Sequence, residues 1–147
     1  MVAFFGLMGC EKDDDAEVVL SFATGTAFGM CAGYCLTETV IQEDSVVFTR
    51  SGWLQLSQFP DRICGSSLAP DQWSLLLANT DRDAFLSLPA TIGCPDCADG
   101  GAEWLEIREN GRPLQRVTLE FGKDVPEISR LMQAIRAIRD AREQSCQ

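Results

Sequence analysis

Six cysteines, Cys31, Cys35, Cys64, Cys94, Cys97 and Cys146, carry most of the chemistry that residue type and spacing could support in this chain. Cys31 and Cys35 form one close pair and Cys94 and Cys97 a second, the first in and just after the glycine-rich stretch Thr24–Tyr34, the second in Gly93–Gly101. Disulfides would staple such loops, although spacing does not choose among the possible pairings. Four thiolates from Cys31, Cys35, Cys94 and Cys97 could instead hold zinc, since two short pairs far apart in sequence are what zinc ribbons use. Cys94-Pro95-Asp96-Cys97 could also be the redox pair of a thiol-disulfide oxidoreductase. Such a pair usually opens a helix, whose N-terminus favours the thiolate, and Ala98-Asp99-Gly100-Gly101 is a poor helix start. The chain contains no histidine. That removes Ser-His-Asp and Cys-His catalysis as usually built, and Ser51, Ser66 and Ser67 have no recognisable activating base.

A seventh cysteine stands apart. Leu7-Met8-Gly9-Cys10 is the pattern that a lipoprotein signal peptidase cuts, with small Gly9 at the cleavage point and the Cys10 thiol as acceptor of a diacylglycerol. The run Glu11-Lys12-Asp13-Asp14-Asp15 makes burial of Cys10 hard, because desolvated charges are costly. Residues 1–9 are accordingly expected to be a residual signal peptide, residues 10–17 an acidic tether, and residues 18–147 a single domain. A complete secretory signal needs a basic start and roughly 7–15 apolar residues. No Lys or Arg precedes Cys10, so either Met1 is a wrongly chosen start or the chain is trimmed, and the intact lipobox favours the first. An exported chain meets an oxidising exterior, which favours disulfides over zinc for the six domain cysteines.

The segment Cys10-Glu11-Lys12-Asp13-Asp14 resembles the start of Bacteroidota lipoproteins, in which Cys followed by Lys and acidic residues signals display on the outer surface. The resemblance implies an outer-membrane lipoprotein, with Lys12, Asp13 and Asp14 as the export signal.

The net charge is −10, and residues 1–100 account for all of it. An acidic chain repels phosphate backbones, so nucleic acid is not an expected partner. The apolar fraction of 46% and charged fraction of 23% suit a globular domain. No apolar run approaches the roughly 20 residues of a membrane helix, which leaves the lipid as the expected membrane attachment. An envelope protein or an extracellular ligand would be the partner.

The elements that must position these groups read as follows. Val18–Ala23 is a short strand, Cys35–Gln42 and Val46–Arg50 form a hairpin, and Asp61–Ser66 is a further strand. Pro70 opens a helix whose Trp73, Leu76 and Leu77 share a face, and Thr80 or Asp81 caps a second through Phe85 and Leu86. Ala102–Arg108 and Leu114–Phe121 flank Asn110-Gly111, the strongest hairpin dipeptide. Asp124, with Glu127 three residues on, fits a capping box for a final helix. Ile128, Leu131, Met132, Ile135 and Ile138 form its apolar stripe, and Arg130, Arg136, Arg139 and Arg142 its solvated face. The fold class expected is α+β, a single antiparallel sheet built from hairpins with helices on one face.

Phe28-Gly29-Met30-Cys31, Phe85-Leu86-Ser87-Leu88-Pro89, the Asn110-Gly111 hairpin and the final helix are similar in layout to a Bacteroidota domain family of unknown function. That family carries a Cys-Phe-Gly-x-Cys-Pro signature, and here Ala27 replaces its first Cys and Ala32 its Pro. Phe28–Cys35 together with Gly93–Trp104 also looks like a set of uncharacterised lipoproteins. Neither likeness implies an activity.

Two further groups could bind. Asp96, Asp99 and Glu103 could supply oxygen ligands to calcium, though turn formation explains both aspartates. Trp53 and Tyr34 could face a sugar or a peptide. No carboxylate pair stands out from surface charge for glycoside hydrolysis. The overall expectation is a lipid-anchored binding or structural module with no cofactor, not an enzyme. The alternatives are the redox enzyme and the zinc-stabilised module.

Overall fold

The computed structural model describes residues 18–52 and 57–146. The chain runs β1 (Leu20–Ala27), β2 (Tyr34–Ile41), β3 (Ser45–Gly52), β4 (Arg62–Ser67), α1 (Pro70–Ala78), α2 (Arg82–Ser87), β5 (Thr91–Ile92), β6 (Ala102–Glu109), β7 (Arg112–Glu120) and α3 (Ser129–Ser145). Short 3-10 turns, Cys97–Asp99 and Pro126–Ile128, precede β6 and α3.

The seven strands form one sheet in the order β4-β3-β2-β1-β6-β7-β5. The fold is α+β, but the sheet is mixed. β5 runs parallel to β7, pairing Thr91 with Thr118 and Ile92 with Leu119. A helix-containing connection separates β4 from β5, and the two residues of β5 extend the β7 edge as that connection returns.

Both hairpins form where turn chemistry and alternation place them. Asn110 (φ 51°) and Gly111 (φ 78°) take the left-handed conformation that a tight two-residue turn requires. Pro70 starts α1 as its first residue, and the Asp81 carboxylate accepts the Ala84 N–H at 2.9 Å to cap α2. Two boundaries differ from the sequence reading. β1 continues to Ala27, so the first four residues of the stretch read as a glycine loop, Thr24–Ala27, are central strand. Asp124 does not cap the last helix. Val125 and Ile128 occupy the caps of the 3-10 turn and of α3, neither with a side-chain cap bond.

Strand register sorts one face of the sheet into rows. Ser66, Val46, Ile41, Phe22 and Ile107 align across β4-β3-β2-β1-β6, and beside them Cys64, Phe48, Thr39, Thr24, Leu105 and Val117. Val46, Ile41, Phe22, Ile107, Leu105 and Val117 of these rows pack with Leu76, Phe85, Leu131, Met132, Ile135 and Ile138 from the helices. The stripe read on the final helix is therefore core. The next row is polar: Arg62, Arg50, Thr37, Thr26 and Glu103. It lies at the end of the sheet where the cysteine loops are.

Cys64 and Cys146 are joined, with Cα atoms 6.0 Å apart. This bridge ties the end of α3 to strand β4 across 82 positions of sequence. In the chain-entropy model a loop of that length contributes about 4–5 kcal/mol, against about 2 kcal/mol for a loop of a few residues. Replacing Cys64 and Cys146 by Ala should therefore lower the unfolding free energy in urea by about twice as much as replacing Cys94 and Cys97. Equal losses would show that the long bridge does not stabilise through loop closure.

Candidate functional site

The end of the sheet beyond Ala27 gathers the two cysteine loops. Cys31 bonds Cys35 and Cys94 bonds Cys97, with Cα separations of 5.7 and 5.4 Å. The loops do lie side by side. The Asp96 carboxylate accepts the Gly29 N–H at 3.3 Å and the Gly101 N–H at 3.2 Å. The bridges are nevertheless local within each loop, and neither joins one loop to the other. Each short pair closes its own turn, and the aspartate between Cys94 and Cys97 does the joining.

The second loop is set by its backbone. Asp96, Ala98 and Asp99 all have φ between 51° and 58°, a region costly for residues other than glycine. Gly101, at φ +81°, is required twice over: a Cβ there would run into the Phe28 ring. Phe28 in turn packs edge-on to Phe121 at 5.1 Å between centroids. Cys94 N–H donates to Glu120 Oε1 at 2.7 Å, and with the Lys123 ammonium this holds the Glu120 carboxyl below its ordinary range. The charge beside Cys94 is thus a carboxylate balanced by an ammonium, not the electropositive surroundings that sustain a reactive thiolate. Cys97 opens a three-residue 3-10 turn rather than a helix.

The residues weighed for metals are otherwise engaged. Cys31, Cys35, Cys94 and Cys97 stand in two separate disulfides and so present no thiolate quartet. Asp96 is occupied by two backbone N–H groups, and Glu103 by arginines. Among the described residues, no three His, Cys, Asp or Glu side chains cluster closely enough to hold an ion. Tyr34 lies beside Phe59 and two arginines. Trp53 lies outside the described residues, as do Cys10, Lys12, Asp13 and Asp14.

Of the two acids with most structural consequence, sequence reasoning weighed Glu103 only as a calcium ligand and missed Glu106 altogether. Glu103 is 0% exposed at the end of the polar row. Its Oε2 accepts Arg139 Nη1 at 3.0 Å and Arg136 Nε at 3.3 Å, and its Oε1 accepts the Gly122 N–H at 3.1 Å and Arg136 Nη2. Arg136 Nη2 also donates to the Lys123 carbonyl at 2.8 Å. Arg136 and Arg139 are therefore not on a solvated face. Arg139 is 5% exposed and turns inward to meet a charge that the sequence pattern shows only as one Glu among many. Helical spacing carried a signal: Arg136 and Arg139 are three apart, hence neighbours on one side of α3.

On the other face of the sheet, Glu106 is buried between Arg108 and Arg116, with contacts of 2.6 and 2.7 Å. Burial opposes its ionisation, but the hydrogen bonds and charges of Arg108 and Arg116 prevail and hold its carboxyl below the ordinary value. Arg116 also stands 3.9 Å over the Trp104 ring, and that indole lies against Gly25, where a Cβ would come within 2.7 Å of it.

No family model matches this chain, and no curated protein matches it.

Two predictions follow from the acids. Arg139→Ala, expected from spacing alone to be silent, should destabilise by about 3–5 kcal/mol, because it leaves a buried carboxylate short of a partner. Urea unfolding within about 0.5 kcal/mol of wild type would refute the buried triad. Glu106 gives a pH signature. Its folded-state pKa is lowered, so its contribution is full above the ordinary value of 4.5 and is lost as pH falls through the lower folded value. Glu106→Gln should therefore be less stable than wild type at about pH 7 and lose less on acidification. Parallel stability profiles for the two proteins would exclude this role.

Proposed function

We propose that this chain is an exported, lipid-anchored domain of the cell envelope that serves in binding or structure rather than catalysis. One observation carries the reading. All six cysteines from Cys31 onward pair among themselves, as Cys31–Cys35, Cys64–Cys146 and Cys94–Cys97, so none of them is a partner for Cys10. A chain that uses its domain cysteines as staples fits an oxidising compartment. The remaining cysteine follows Leu7-Met8-Gly9, where a diacylglycerol acceptor belongs.

The acidic tether supports display on the outer face of an outer membrane, with Lys12, Asp13 and Asp14 as the signal. The likeness to Bacteroidota lipoproteins belongs to the same proposal. The partner would be another envelope protein or an extracellular ligand, met by a rigid domain on a short leash. Paired cysteines and arginine-bound glutamates support recognition by shape and charge over covalent chemistry.

The test is metabolic lipid labelling in a bacterial host, with expression from the native upstream sequence. Wild type should take label and partition with membranes, and Cys10→Ala should lose both. Label retained in Cys10→Ala would overturn the anchor. Replacing Lys12, Asp13 and Asp14 with Ala should keep the label but reduce cleavage by externally added protease. Unchanged cleavage would overturn surface display.

A further inference from the structure

We propose that Arg50, Arg62 and Tyr34 form a binding site for a phosphate group. Arg50 on β3 and Arg62 on β4 are direct cross-strand partners at the outer end of the polar row. Like charges in that relation repel, so the pair is unfavourable unless something negative lies between or beside them. At the other end of the same row, Glu103 supplies that charge to Arg136 and Arg139. Here nothing does. Among the described residues, every ion pair belongs to other side chains, and neither Arg50 nor Arg62 takes part in one. The chain carries 22 acids against 12 bases, so carboxylates are not scarce.

What the two arginines share is an aromatic ring. The guanidinium carbon of Arg50 lies 4.5 Å from the Tyr34 ring centroid and that of Arg62 5.5 Å. An attraction to the ring quadrupole helps to hold two cations together, yet it satisfies none of their N–H donors in the way an oxygen would. Arg50 Nε is buried and has no hydrogen-bond partner. A buried, unsatisfied donor on a charged group costs more than an ordinary missing bond. It is an observation independent of the charge count, and it points in the same direction.

The platform is braced in advance. The Cys31–Cys35 bridge closes the turn into Tyr34, and the pairing irregularity between Tyr34 and Leu36 sets Tyr34 opposite Gly52. Phe59 meets the Tyr34 ring edge-on at 5.5 Å between centroids. It can do so because Gly52 has no Cβ, which would otherwise come within 2.7 Å of the Phe59 Cβ. Bracing of this kind reduces the ordering cost of binding.

The ligand chemistry follows from the donors. Two guanidinium forks offer two positive charges and parallel N–H pairs, the arrangement that matches a dianionic phosphate. A phosphomonoester supplies nearly two negative charges and three acceptor oxygens near neutral pH. The overall negative charge of the chain does not forbid this, since charges beyond a Debye length of about 8 Å are largely screened at physiological salt. The phosphate could belong to a soluble molecule or to a lipid headgroup.

Tyr34 is the only tyrosine in the chain, so its ring gives one unambiguous NMR signal. The experiment titrates full-length Cys10→Ala protein with inorganic phosphate at constant ionic strength and follows that signal. A saturable shift is expected. It should weaken about tenfold in Arg62→Gln, equivalent to the loss of one charge-assisted bidentate contact. Arg62 is exposed, so this variant should fold as wild type does. Arg112→Gln, which removes an exposed arginine outside the ion pairs, should leave the titration unchanged. No saturable shift, or the same affinity in Arg62→Gln, overturns the site. A second arm sediments the protein with phosphatidylcholine vesicles with and without phosphatidic acid. Co-sedimentation that requires both phosphatidic acid and Arg62 supports the site with a headgroup as its source. Saturable phosphate binding without co-sedimentation supports it with a soluble source.

Discussion

A fully buried glutamate holds three parts of this molecule in register. Glu103 stands on β6, its two arginines on α3, and its backbone donor at Gly122 in the turn that leaves β7. Taking one carboxylate and two guanidiniums out of water costs several kcal/mol per ion, and only a well-bonded set recovers it. Here both carboxylate oxygens are engaged, Arg136 reaches the Lys123 carbonyl, and Arg139 leans on Asp140 and on the Phe121 ring. An alternative placement of α3 would strand one of these charges. The apolar stripe decides that the helix packs; the charges decide where along the sheet it stops.

The fold was legible to the extent that local chemistry dictates it. Asn110-Gly111, Pro70 and Asp81 each act through their own backbone geometry, and the turns and caps they announce are present. The extent of β1 was not legible. Thr24, Gly25 and Thr26 look like loop residues, yet Gly25 is central strand because the Trp104 indole occupies the space of its missing side chain. That demand comes from a residue 79 positions away, beyond the reach of any local pattern. β5 was invisible for a related reason. Two residues that pair in parallel at a sheet edge carry no alternation to detect.

The charged groups show the same division. That residues 101–147 are electrically balanced is plain from the sequence. Much of that balance is contact: Glu103 with Arg136 and Arg139, Glu106 with Arg108 and Arg116, Glu120 with Lys123. Composition revealed the equality but not the partners, because the partners are joined by sheet register and helix placement. The cysteines follow suit. That they would bond was readable from their number, but local pairing at Cys94–Cys97 lies in a loop whose left-handed residues, Asp96, Ala98 and Asp99, are not of the usual glycine type, whereas the Cys31–Cys35 turn uses Gly33.

The two margins of the sheet have a consequence for molecules held at high density. An open edge strand is a template on which a second chain can add. On one side β5 pairs only with Thr118 and Leu119, which leaves most of the nine-residue β7 at the margin. On the other the edge is β4, six residues long, where Arg62 puts a charge at the start, Arg142 takes the Ser67 carbonyl at 3.2 Å, and Cys64 is bolted to the chain's last helix. Of the two margins β4 is the one fastened covalently, and β7 the one with backbone for a neighbour to copy. Brought together at high density, such domains would have β7 as the strand along which to join.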